Sequence, residues 1–123
     1  MKDDRQVLLL TCSGISHTGQ LTTRTGTWLR YRHPKLIARH LHLTALKRPL
    51  EEELQDEENL VAVDGCEECC VKKRMDTIGT RPDVYIVATR EGIIKRGMQE
   101  VRSEEIEALS QVIVRKAKRM TRS

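Results

Sequence analysis

The sequence predicts an α/β domain: a single open, mostly parallel four-stranded sheet in the order 2-1-3-4 with helices on both faces, of the Rossmann-like or flavodoxin-like kind. Three observations lead to that expectation. Apolar runs and helical patterns alternate four times along the chain, and such alternation produces a parallel sheet covered on both sides. The first and third runs, Val7-Leu8-Leu9-Leu10 and Leu60-Val61-Ala62-Val63, have no polar face, as strands buried from both sides require. Each of these two runs opens into small residues and cysteine. In the order 2-1-3-4 the first and third strands are neighbours, and the chain reverses its winding between them at the switch point where open α/β sheets place ligands.

The first strand, residues 7–11, ends at Cys12-Ser13-Gly14-Ile15-Ser16-His17-Thr18-Gly19, a loop of small residues. Ser16 or Thr18 is placed to cap a helix that runs from about Gly19 past Leu21, Thr25, Trp28 and Leu29. It stops before His33-Pro34, because proline disfavours helix in the residue before it. Cys12 then lies just outside a helix N-terminus, where amides and the helix dipole favour a thiolate. Residues 37–43 form the second strand, with Ile37, Leu41 and Leu43 on one face and His40 and His42 on the other. Pro49 opens a helix as its first residue, with Glu51-Glu52-Glu53 in the first turn and Leu50 and Leu54 buried. Beyond the third strand a helix continues from Cys70 through Met75 and is ended by Gly79 before Pro82. Residues 84–88 are the fourth strand. Ser103 caps a last helix with Glu104 and Glu105 in its first turn and Ile106, Leu109, Ile113 and Ala117 as its inward stripe.

At 123 residues the chain is expected to form one domain, 1–123, with a core at about 7–119, large enough to need no covalent staple. Its four cysteines are clustered three and one, unlike the dispersed cysteines of a secreted scaffold. That favours metal or redox chemistry in a reducing compartment. Met1-Lys2-Asp3-Asp4-Arg5-Gln6 sets acids before an apolar run too short for a signal-peptide core or a membrane span, so the expected location is cytoplasmic, with no membrane partner. The net charge of +4 is a small surplus on a chain with 33% charged residues. Glu51-Glu52-Glu53 and Asp56-Glu57-Glu58 make an acidic block, and Arg115-Lys116-Ala117-Lys118-Arg119 with Arg122 a basic tail. Acids early and bases late on helices complement the helix dipoles. With no Phe, one Trp and two Tyr, little is left for base stacking, which weighs against nucleic acid as a partner. His40 and His42 on an edge strand, and the carboxylates of residues 51–58, read most simply as solvated faces.

The chemistry concentrates in Val61-Ala62-Val63-Asp64-Gly65-Cys66-Glu67-Glu68-Cys69-Cys70-Val71-Lys72. Cys66, Cys69 and Cys70 stand at i, i+3 and i+4, so they share a face on one helical turn or wrap one ion from a loop feeding a helix. Cys12, from the end of the neighbouring strand, brings the set to four thiolates, which suits tetrahedral zinc with Zn–S of about 2.3 Å. An iron–sulfur cluster suits four thiolates equally well. His17, on the same loop as Cys12, is the nearest alternative ligand. Asp64 serves as an acceptor behind the ligands or as a cap for the following helix, and Gly65 permits a tight turn between strand and site.

Spacing tests exclude several enzymes. A phosphatase loop of the Cys-x5-Arg kind needs arginine at position 18 or 72, where Thr18 and Lys72 stand. A Walker loop fails at Gly19-Gln20-Leu21. Cys66 and Cys69 do form Cys-x-x-Cys, so a thiol redox protein survives as the alternative, with Cys70 and Cys12 surplus to it.

The sequence resembles the DGC-domain proteins, small α/β proteins described as zinc-binding. The likeness rests on Cys12-Ser13-Gly14 with Gly19-Gln20, on Asp64-Gly65-Cys66 with Cys70 and Lys72-Lys73, and on Gly92-Ile93 with Lys95 and Gly97. It spans roughly residues 7 to 119. The resemblance implies a first motif like Cys-x-x-Cys and a second of the form Asp-Gly-Cys-x-x-x-Cys, four cysteines holding zinc. Cys12, Cys66 and Cys70 match, Ile15 replaces the second cysteine of the first motif, and Cys69 is an added thiol in the second. The expectation is a zinc-binding protein whose ligands are Cys12, Cys66, Cys70 and Cys69, with the metal sensed, stored or delivered to a protein partner.

Overall fold

The apolar run at the start of the chain forms β1, Val7–Thr11, a strand of five residues that are all buried. In the computed structural model, which describes residues 5–55 and 59–121, β1 lies between β2, Ile37–His42, and β3, Leu60–Asp64, and β4, Val84–Val87, pairs with β3. The order is β2-β1-β3-β4 and every pairing is parallel, as the alternation of elements predicts. Met1, Lys2, Asp3 and Asp4, the Asp56-Glu57-Glu58 part of the acidic block and Arg122 lie outside the described residues.

The period of two along β1 divides the core. Val7 and Leu9 join Leu21, Leu29, Leu109, Ile113 and Ala117, from α1, His17–Arg32, and α4, Ser103–Thr121. Leu8, Leu10 and Cys12 join Leu50, Leu54, Val71 and Met75 on the opposite face, against α2, Leu50–Glu53, and α3, Cys70–Thr77. Each large apolar side chain so buried contributes about 1.5–3 kcal/mol. The helices that follow β1 and β3 therefore leave toward opposite faces, and the crevice between them opens at the carboxyl ends of those strands.

Several local expectations are corrected. Between Val7↔Ile37 and Leu8↔Arg39 the register slips by one residue, a bulge that turns the rest of β2 over. Ile37 consequently sits with the α1–α4 core while Leu41 and Leu43 pack on the α2–α3 side. His40, paired with Leu9, is half-buried rather than solvated. Its Nε2 meets Thr11 Oγ1 at 2.8 Å, and its ring abuts Gly26 of α1, where a Cβ would come within 2.3 Å of Nε2. His42 is half-buried as well.

The second helix is a single turn with Pro49 as its N-cap residue. Glu51 and Glu52 are exposed there, but Glu53 is buried and paired with Arg48 at 2.7 Å and Arg39 at 3.2 Å. In α4 the capping residue is Arg102 rather than Ser103. Its carbonyl accepts from the amides of Glu105 and Ile106, and its own amide donates to Glu105 Oε1 at 2.8 Å, half of a capping box. The acids and bases of α4 fall at its first and last turns as the dipole favours. No helix among the described residues is long and apolar enough to cross a membrane.

Candidate thiol site

The site begins where β1 runs out. Cys12 extends the ladder by one residue, its amide donating to Val63 of β3 at 3.0 Å. Its sulfur accepts from the Gly65 amide at 3.1 Å and lies 3.1 Å from Thr22 Oγ1. The Thr22 hydroxyl also reaches the Cys12 and Gly19 carbonyls. Either the sulfur or the hydroxyl can donate in this contact, and the two carbonyls compete with the sulfur for the Thr22 proton.

Burial pushes Cys12 up to about 11, opposed by the Thr22 and Gly65 hydrogen bonds and reinforced by the charges of Asp64 and Cys70. This corrects the expectation of a thiolate at the N-terminus of α1. That terminus is capped by Ser16, whose side chain accepts from the Gly19 amide. The buried thiol belongs to the core on the other face.

Gly65 is demanded by close approach: a Cβ there would lie 2.7 Å from the Thr18 Cβ and carbonyl oxygen. The chain then turns, with the Cys69 amide donating to the Cys66 carbonyl at 3.2 Å. Cys66 is half-buried in the bend, Cys69 is the N-cap residue of α3 in the left-handed region at φ +54°, and Cys70 is exposed at the first helical position. The three do not share one helical turn. They sit on a loop feeding a helix, the other arrangement their spacing allows. A left-handed cysteine holds about 1–3 kcal/mol of strain.

Asp64 supplies the cap that Cys69 does not. Its carboxylate accepts from the Val71 amide at 2.8 Å, the Lys72 amide at 3.2 Å and the Tyr85 hydroxyl at 2.6 Å. The charge of the helix N-terminus is thus spent on a buried carboxylate rather than on sulfur. Burial raises Cys70, and Asp64, Glu68 and Cys66 raise it further, while Lys73 acts in the opposite sense. Glu67 ties the turn to the segment after β4 through a two-pronged pair with Arg90, at 2.8 and 2.6 Å. Lys95 Nζ stands 3.8 Å from Cys66 Sγ.

His17 is placed differently from the thiols. It is fully buried, with Nε2 within 2.9–3.0 Å of the Glu105 carboxylate. Arg96 meets the same carboxylate at 2.8 Å. Burial raises Glu105, but hydrogen bonds from His17, the Arg102 amide and Arg96 outweigh it and bring Glu105 down to about 2.

Among the described residues, no three His, Cys, Asp or Glu side chains stand together in the arrangement of a metal site. The donor set nevertheless has the chemistry zinc requires. All four cysteines of the chain follow β1 or β3, all are free thiols, and an amide N–H already serves one sulfur. The fit is therefore one of donor type and placement, with the sulfurs not drawn together. Thr22, Tyr85 and Arg90 are site neighbours that spacing arguments miss. The signal for Thr22 was the run Thr18, Thr22, Thr25 at helical spacing, all of it buried.

A family model described as DGC domain matches residues 8–113. No curated protein and no solved structure matches the chain.

Proposed function

The chain belongs to the DGC-domain family, and on that premise we propose that it binds zinc at the switch point between β1 and β3, through Cys12, Cys66, Cys70 and Cys69. The observation that supports this reading most is the placement of the cysteines. All four follow two strands that are neighbours in the sheet, and three of them occupy one solvent-accessible turn. Zinc held there would be tetrahedral and thiolate-bound, joining the two loops. The chain's own contribution is to hold Cys12 against Gly65 and to keep Asp64 behind the turn as the cap of α3. His17 is the alternative ligand, but it would have to leave its ion pair with Glu105, which favours Cys69 as the fourth. Metal sensing, storage or delivery to a protein partner in the cytoplasm are the roles that accessible thiolates suit.

The alternative is thiol redox chemistry at Cys66 and Cys69, favoured by their place on one turn. Anaerobic purification followed by elemental analysis and an absorption spectrum separates the readings. One colourless zinc per chain supports the proposal. Visible charge-transfer bands move it to an iron–sulfur cluster, and a metal-free chain with a reversible Cys66–Cys69 disulfide overturns it.

A further inference from the structure

The turn that carries the thiols bears three carboxylates. Asp64 is buried beneath it, and Glu67 and Glu68 lie within it. Of the neighbouring cations, Arg90 pairs with Glu67, Lys72 pairs with Asp76 at 3.4 Å, and Lys73 acts on Cys70. Lys95 reaches a cysteine sulfur, its Nζ standing 3.8 Å from Cys66 Sγ. Its side chain is exposed, yet the loop that bears it is fixed. The His17 amide donates to the Gly97 carbonyl at 2.8 Å, and Arg96 donates to the Glu100 carbonyl and to Glu105, each at 2.8 Å. The network of His17, Glu105 and Arg96 therefore joins α1, α4 and the 92–102 loop on one side of the crevice.

From this geometry we infer that Lys95 is the counter-cation of the thiolate site. The inference rests on the zinc reading above. Four thiolates around a divalent ion leave a doubly negative centre, and Asp64 nearby makes that charge more costly. An ammonium group donating to Cys66 offsets part of it, as partners behind metal ligands do elsewhere. Because Lys95 is bonded to the sulfur of a ligand and not to the metal, its removal weakens the site without emptying it.

The test compares zinc affinity, by competition with a chromophoric chelator at one pH, for the wild type, Lys95→Met and Lys95→Arg, with circular dichroism to verify folding. Lys95→Met is expected to weaken zinc binding about 10-fold, less at high salt, and Lys95→Arg to stay within about 3-fold of the wild type because the charge is kept. Wild-type chain that binds one zinc, with Lys95→Met unchanged or Lys95→Arg as weak as Lys95→Met, overturns the assignment alone. A wild-type chain that binds no zinc overturns the metal reading and this assignment together.

Discussion

The Gly65 amide donates to the Cys12 sulfur at 3.1 Å, so the end of β3 is fastened to the end of β1 by the two residues that flank the crevice. Gly65 also lies against Thr18, with no room for a side chain. The amide–sulfur contact sets the first cysteine beside the start of the segment that carries the other three.

Gly65→Ala should disturb fold and site together. A Cβ at 2.7 Å from the Thr18 Cβ and carbonyl meets backbone that cannot swing away, and overpacking of this kind costs about 1–3 kcal/mol. Urea denaturation should show a lowered midpoint with an unchanged slope, and the Cys12 thiol should become accessible to alkylation in the native state.

Asp64→Ala should loosen α3. It removes the acceptor for the Val71 and Lys72 amides and leaves the Tyr85 hydroxyl without its partner. Loss of a cap costs about 0.5–2 kcal/mol, and the stranded hydroxyl adds about 1–3 kcal/mol. Hydrogen exchange should accelerate first at the amides of Val71 and Lys72.

Stability should fall with pH through an interval set by His40. Burial, with the His42 charge second, lowers its imidazole from 6.5 to about 4, so the folded chain binds fewer protons than the unfolded chain between those values. The contribution is complete above about 6.5 and is lost as pH falls toward 4, of order 3 kcal/mol in all. Denaturation midpoints at a series of pH values should show this slope, and His40→Gln should flatten it.

Gly26→Ala tests the packing of α1 on β2. Alanine raises helix propensity by about 1 kcal/mol, but its Cβ would stand 2.3 Å from His40 Nε2, a ring already bonded to Thr11. Overpacking at about 1–3 kcal/mol should outweigh the gain, so thermal denaturation is expected to show a lower Tm. Adding His40→Ala should restore part of it.

The architecture was legible because it follows from local pattern. The unbroken apolar runs at Val7 and Leu60 mark strands covered on both faces, and their place in the alternation puts the cysteines at a switch point. What the sequence did not disclose depends on partners distant along the chain. A strict period of two cannot register the bulge in β2, so it sends Leu41 and His40 to the wrong faces. Glu53 reads as one more solvated acid until Arg39 and Arg48 close around it. The thiol state of Cys12 is set by its burial, against hydrogen bonds from Thr22 and Gly65 that lie far from it along the chain. Cys69 in a left-handed N-cap is equally invisible to a spacing rule that assumes a regular helical turn.

Zinc K-edge absorption spectroscopy on the anaerobically purified chain reads whether sulfurs from both sides of the β1–β3 crevice meet on one ion. A coordination shell of four sulfurs at about 2.3 Å is expected, with one sulfur fewer, or no zinc, in Cys12→Ser. A shell dominated by nitrogen or oxygen, or a four-sulfur shell unchanged by Cys12→Ser, would contradict it.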